Sequence, residues 1–197
     1  MVEIYNEKVQ NLLVNPYDRP KEGLMVRERK KKGVYVDGVI EVPVSCFKEI
    51  NDVIQKGKLN RSVAAQELSH NSSRAHTIVT IELKQIDSST NTEKVSVINL
   101  VDLAGSEKIN KSRTTKDRFK EGYSINKSLT TLGRVITILS KKNKWRVPTE
   151  KPPYRESTLT WVLSNALGGN SKTLMLCTLS PASSNYEETM SILRYAE

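Results

Sequence analysis

Apolar and polar residues alternate along residues 77–86, and a denser apolar run, Val97, Ile98, Leu100, Val101 and Leu103, fills residues 95–103. A period of two predicts a half-buried strand, whereas the denser run predicts a central strand covered on both faces. The polar stretch 87–93 between them predicts a hairpin turn. Shorter strand-like segments occupy residues 24–27 and 174–179.

Helical spacing separates most of these strands. A first helix opens at residues 43–45 and puts Phe47, Ile50 and Ile54 on one face, with Gly57 offering a stop. The longest covers residues 119–142, where Ile125, Leu129, Leu132, Ile136 and Leu139 recur at intervals of four and three. Residues 155–167 form a third helix ended by Gly168 and Gly169, residues 186–197 a fourth, and residues 141–153 a solvated loop. Strands alternating with helices predict an α/β layered domain.

Composition narrows the class without choosing a function. With 197 residues and 37% hydrophobic content, one domain can bury a core. The 31 Lys and Arg against 22 Asp and Glu give a net charge of +9, which favours an acidic partner: nucleic acid, an anionic membrane or an acidic protein polymer. Cys46 and Cys177 lack zinc-site spacing, so a reduced intracellular compartment is expected. Neither a signal peptide nor a membrane-spanning apolar run is evident, which favours a cytosolic protein.

The chemistry concentrates in three segments. VINLVDLAGSE sets Asp102 near the end of the densest apolar strand, with Gly105 three residues on. Beyond a strand's carboxyl end, a carboxylate can hold magnesium through water and a glycine can offer an unhindered N–H to a phosphate. NSSRAH, residues 71–76, packs two hydroxyls and a guanidinium just before a strand, a plausible phosphate-sensing loop. His70 and His76 are expected to play ordinary polar roles rather than to bind metal. GGNSKT, residues 168–173, ends like a phosphate loop, but its spacing is wrong and it runs from helix to strand.

Taken together, NSSRAH, DLAGSE at 102–107 and SINKSLTTLG at 124–133 resemble, in order, the switch motifs of the kinesin motor family. EIYNEKVQNLL, PYRESTLTWVL, LGGNSKT and SPASSNYEETMSILRYA also look like kinesin segments, so the resemblance spans essentially the whole chain. LTW after PYRES, KEG before INKSLTTLG, and YEET make it most similar to the transport kinesins with a lysine-rich surface loop. The resemblance implies part of a P-loop NTPase layered fold, a central, mostly β sheet flanked by helices, with the whole chain a partial motor domain.

Residue roles follow from the same resemblance. Ser72 and Ser73 would belong to the first switch, with Ser73 near magnesium and the γ-phosphate, and Arg74 would pair with Glu107 to order the attacking water. Asp102 would hold the metal through water, Gly105 would contact the γ-phosphate, and Asn126 would couple the second switch to the track-binding helix. Ser69 and Ala75 depart from the family pattern NxxSSRSH, which puts hydrogen bonds around that switch in question.

The resemblance begins after the family's phosphate loop, and no segment of the chain matches one. The N-terminal strands, the phosphate loop and the adenine pocket are therefore expected from a missing N-terminal half. Taken alone, the chain is expected neither to bind Mg-ATP tightly, nor to hydrolyse ATP appreciably, nor to fold robustly with strand edges and apolar faces unpartnered.

Microtubules present an acidic surface, and three basic clusters would meet it. Arg29, Lys30, Lys31 and Lys32 form one; Lys116, Arg118, Lys120 and Lys127 accompany the long helix; Lys141, Lys142 and Lys144 follow it, joined by Tyr154 and Arg155. The implied function is ATP hydrolysis coupled to movement along microtubules in the cytoplasm. The alternative is a non-catalytic microtubule-binding or kinesin-partner module that lost the phosphate loop. A generic basic nucleic-acid binder does not account for three ordered switch motifs.

Overall fold

In a computed structural model the chain turns back at Asn6 and Glu7, both with positive φ (50° and 62°), the backbone that a two-residue hairpin between twisted strands requires. This joins β1 (Val2–Tyr5) to β2 (Lys8–Asn11). The structure describes residues 1–30, 33–67, 74–105, 116–142, 151–168 and 170–196. They divide into two compact units: Met1–Met25 with Val36–Ala104, and Val26–Tyr35 with Gly105–Glu197.

The second unit contains β3 (Val26–Arg29) and all but the last residue of its partner β4 (Gly33–Val36). Strand β3 begins two residues later than residues 24–27 suggested, because Leu24 instead makes an isolated bridge to Val9 in the first unit.

In the first unit, α1 (Phe47–Glu67) precedes β5 (His76–Asp87) and β6 (Thr92–Asp102). The sheet order is β2-β1-β5-β6, antiparallel throughout, with β1 meeting β5 at Val2↔Ile78 and Ile4↔His76. Alternation in β1 and β2 sends Val2, Ile4 and Val9 inward to join Leu12, Ala64, Ala75, Ile78 and Ala104 in the core. Between β5 and β6, Asp87 accepts hydrogen bonds from the Ser89 N–H and hydroxyl, and Asn91 turns the chain at φ 51°.

Three expectations for this unit are corrected. Helix α1 does not stop at Gly57: a Cβ there would sit 2.3 Å from Met1 Sδ, so glycine marks a close approach inside a continuing helix. Its inward face follows Gly57, Asn60, Arg61 and Ala64, and Phe47 is 83% exposed. Strand β6 is not central. It lies at one edge of the sheet, and Val95, Val97, Ile98 and Leu100 are exposed.

In the second unit, α2 (Lys116–Lys142) starts three residues earlier than its periodicity suggested. Its buried stripe runs through Ile125, Ser128, Thr131, Leu132, Val135 and Ile138, while Leu129, Ile136 and Leu139 are half-buried on its flank. The residues just beyond it, 143–150, lie outside those described, and Lys141 and Lys142 still belong to the helix.

The segment expected as a helix over 155–167 is shorter: a 3-10 turn (Tyr154–Glu156) followed by α3 (Thr158–Val162). Ser157 caps α3, and Ser164 Oγ donates back to the Trp161 carbonyl, a local bond that competes with further helix. No strand forms over 174–179, because no described neighbour supplies a ladder, and Leu174 and Leu176 are about 85% exposed. Helix α4 (Tyr186–Ala196) closes the described chain where expected.

Candidate functional site

The pairing Thr77↔Asp102 sets the start of β5 opposite the end of β6. The segment ending at Arg74 and Ala75 and the segment beginning at Asp102 are thereby brought to one end of a single hairpin. Two motifs some thirty residues apart in sequence meet because the strands between them are of nearly equal length.

Three side chains organise that end. Arg61 projects from α1, one turn after Gly57, and its Nε donates to Glu3 Oε1 at 2.9 Å. Its Nη2 donates to the Ala75 carbonyl at 3.3 Å, and its Nη1 lies 3.7 Å from Asp102 Oδ2. The Arg61 and Glu3 side chains are only 18% and 14% exposed, whereas Asp102 is 77% exposed and open to a ligand. One guanidinium thus reaches β1, the residue before β5, and the end of β6.

His76 is the third. It is buried, and its Nδ1 accepts a hydrogen bond from the Ala104 N–H at 2.9 Å. An acceptor Nδ1 fixes the neutral Nε2–H tautomer. Burial pushes its pKa down to about 4, with the Asp102 carboxylate opposing part of that shift.

The basic residues of the second unit have a different setting. Arg29 and Lys30 are exposed, and the Arg29 guanidinium lies 5.1 Å from the Tyr35 ring centre. Arg155 pairs with Glu28 and lies 5.2 Å from the Trp161 ring centre. Asn165 clasps the hairpin: its Nδ2 donates to the Val34 carbonyl at 3.0 Å, and its Oδ1 accepts from the Val34 N–H at 3.4 Å. Gly33 turns beside it at φ 71°, where a Cβ would lie 2.6 Å from Asn165 Oδ1. Tyr154 is half-buried, its phenol pKa raised by burial.

Among the expected site residues, Arg74 and Asp102 flank the hairpin end just described, and Gly105 follows Asp102 three residues on in the sequence. Asn126 and Lys127 are exposed on α2. Lys116, Arg118, Lys120, Lys141 and Lys142 lie on the backbone of α2. Ser72, Ser73, Glu107, Lys31, Lys32 and Lys144 lie outside the described residues, as does His70, so the expected Arg74–Glu107 pair has one partner there.

Sequence reasoning missed Arg61, Glu3, Glu28 and Asn165. Gly57 at i−4 was the available signal for Arg61, since a glycine inside a helix marks a face closely approached by other parts of the chain, here by Met1, and its i+4 neighbour shares that face. For Asn165 there was none: pairing with a backbone more than a hundred residues away leaves no local trace. Among the described residues no group of three His, Cys, Asp or Glu side chains converges, and no helix is long and apolar enough to cross a membrane.

A family profile described as kinesin motor domain matches residues 1–197. The chain is 47% identical over 200 residues to the human kinesin-like protein KIF13A, covering all of this chain and 11% of that protein. It is 47% identical over 206 residues to rat KIF1A, covering 12% of it. A structure of KIF14 residues 391–755, with ADP and in complex with a microtubule, superposes with a TM-score of 0.84 at 43% identity. That match covers 99% of this chain and 56% of the other, so the chain spans about half of a solved relative and roughly a tenth of the curated ones.

Proposed function

We propose that this chain, which belongs to the kinesin motor domain family, is the part of a microtubule-dependent ATPase motor that senses the terminal phosphate and holds the track. The phosphate loop and further strands come from the rest of the motor domain. The register Thr77↔Asp102 carries this reading, because it gathers the end of the first switch segment and the start of the second at one hairpin end. The KIF14 relative captured with ADP on a microtubule supports the same pair of ligands.

The donor set fits magnesium. Asp102 offers hard carboxylate oxygens, 77% exposed at the end of β6, and magnesium typically keeps several waters while binding one or two carboxylates and substrate phosphates. Ser73 would hold the ion and Asp102 would hold it through water, with Ser72, Gly105 and Asn126 completing the nucleotide contacts. Bound Mg-ATP supplies the phosphoryl group and the charge that polarises it. Arg74 and Glu107 would orient water, so the assembled motor would catalyse by position and charge rather than by a covalent intermediate.

Arg61 keeps Asp102 close to β1 and α1 and offsets its charge. The exposed Arg29, Lys30 and Lys127 face an acidic polymer through long-range attraction, and Arg155, held by Glu28 and Trp161, braces the hairpin that carries Arg29 and Lys30.

Co-sedimentation of the protein with microtubules, over a salt series and with or without a non-hydrolysable ATP analogue, tests this. Pelleting should weaken as salt rises, and respond to nucleotide only when the rest of the motor domain supplies the phosphate loop. Salt-sensitive pelleting that stays blind to nucleotide with that part present would favour a non-catalytic microtubule-binding module. Affinity indifferent to ionic strength, or no pelleting by folded protein, would overturn the reading.

A further inference from the structure

We infer that His76 is a positioning residue for the phosphate-sensing turn, its neutral imidazole clamping the Ala104 amide so that the Asp102–Gly105 segment leaves β6 in one fixed course. The inference deepens the nucleotide-binding reading above and rests on it for its functional consequence, though not for its structural content.

The backbone ladder ends at Thr77↔Asp102, so beyond Asp102 the chain has lost the bonds that hold β6 to β5. Ala104 is nevertheless buried, 5% exposed, and its N–H needs an acceptor there. No carbonyl among the described residues supplies one. His76 Nδ1 does, at 2.9 Å, from the first residue of the neighbouring strand. His76 is itself held in register opposite Ile4 of β1. A side chain thus extends the ladder by one rung past the point where strand pairing stops.

That rung has a consequence for the residues on either side. Asp102, two positions earlier, carries the exposed carboxylate, and Gly105, one position later, carries the N–H expected to meet the terminal phosphate. An amide tied at Ala104 prevents the peptide planes between them from rotating freely, which is preorganisation of the turn before any ligand arrives.

Asparagine and glutamine separate the clamp from mere bulk. Asn Oδ1 stands about where Nδ1 does, one bond beyond Cγ, whereas Gln Oε1 corresponds to Nε2. Amide hydrogen exchange at Ala104 in the folded protein, with Ile78 inside β5 as the control for global unfolding, reads the clamp directly. His76→Asn should keep Ala104 protected, whereas His76→Gln and His76→Ala should speed its exchange by about tenfold or more while Ile78 stays protected, as expected for loss of one buried hydrogen bond.

Affinity for AMP-PNP against ADP, measured with the rest of the motor domain present, reads the consequence: His76→Gln should weaken AMP-PNP by about tenfold with ADP unchanged, and His76→Asn should restore it. Ala104 protection that survives in His76→Ala, or an equal loss for both nucleotides, overturns the inference. If the unmutated protein binds neither nucleotide even with the rest of the motor domain present, the proposed function fails, and the exchange ranking still decides whether His76 clamps the turn.

Discussion

Strands β5 and β6 share eleven consecutive paired residues, from Thr77↔Asp102 to Asp87↔Thr92, yet they fare differently. The first residues of β5, His76, Thr77 and Ile78, are buried, while the more apolar β6 leaves Val97, Ile98 and Leu100 about half exposed. Both strands satisfy each other's backbone. What differs is the second flank: β5 begins against β1, with Arg61 of α1 reaching Ala75 beside it, whereas β6 has no described strand on its other side. A ladder pairs polar groups, and a core forms only where further elements cover the side chains.

The sharpest way to break this contrast is to truncate an isoleucine in each strand. Ile78→Ala, at a residue 1% exposed, should cost about 3–4 kcal/mol in denaturant unfolding through lost transfer energy and a residual cavity. Ile98→Ala, at a residue 49% exposed, should cost under about 1 kcal/mol. Equal losses would mean that β6 is covered in the protein as it works, as the rest of a motor domain would do.

Acid probes the same buried end. The folded-state pKa of His76, near 4, lies below the ordinary 6.5, so the unfolded chain binds the proton first. The contribution of neutral His76 is therefore complete above about pH 6.5, declines as pH falls toward 4, and levels off below that. The difference is worth about 3 kcal/mol. Urea unfolding followed from pH 7.5 to 4.5 should show this slope, and His76→Asn should flatten the part due to this residue.

Much of this region could be seen in the sequence, for reasons that locate the failures too. The β5–β6 hairpin and its turn follow from alternation and from Asp87 and Asn91, which are local signals. Asp102 and Gly105 stood out because strand and motif coincide. The expected burial of β6 failed because apolarity records a need for cover without saying which elements supply it. Residues 174–179 failed likewise, a strand composition left without a ladder. Arg61 and Asn165 were hidden because each acts on a distant backbone or carboxylate, and a polar side chain carries no periodicity that announces its partner.

Two of the ion pairs in the first unit extend the comparison from packing to charge. Arg61–Glu3 is mostly buried, whereas Lys84–Glu93 bridges β5 and β6 with side chains 59% and 51% exposed. Removing one buried partner leaves the other charge partly uncompensated, so Glu3→Gln should cost about 2 kcal/mol. Glu93→Gln should cost under about 0.5 kcal/mol, and that little should vanish in high salt. A double-mutant cycle on each pair measures the difference.

The smallest effect tests whether side-chain bonds substitute for strand pairing in the second unit as His76 does in the first. Asn165 both donates to and accepts from Val34, the pattern of a neighbouring strand residue, at an exposed position. Asn165→Ala should cost about 1 kcal/mol, because water replaces most of what is lost. Asn165→Asp is the more telling change. It keeps an acceptor for the Val34 N–H but turns a carboxylate toward the Val34 carbonyl, so the cost should be at least as large despite the near-identical shape. If microtubule affinity at fixed salt falls with either variant while Arg29 and Lys30 are untouched, the clasp acts by holding those two cations in place. If stability drops and affinity does not, the hairpin's basic residues reach their partner without being held, and the parallel with His76 ends at the backbone.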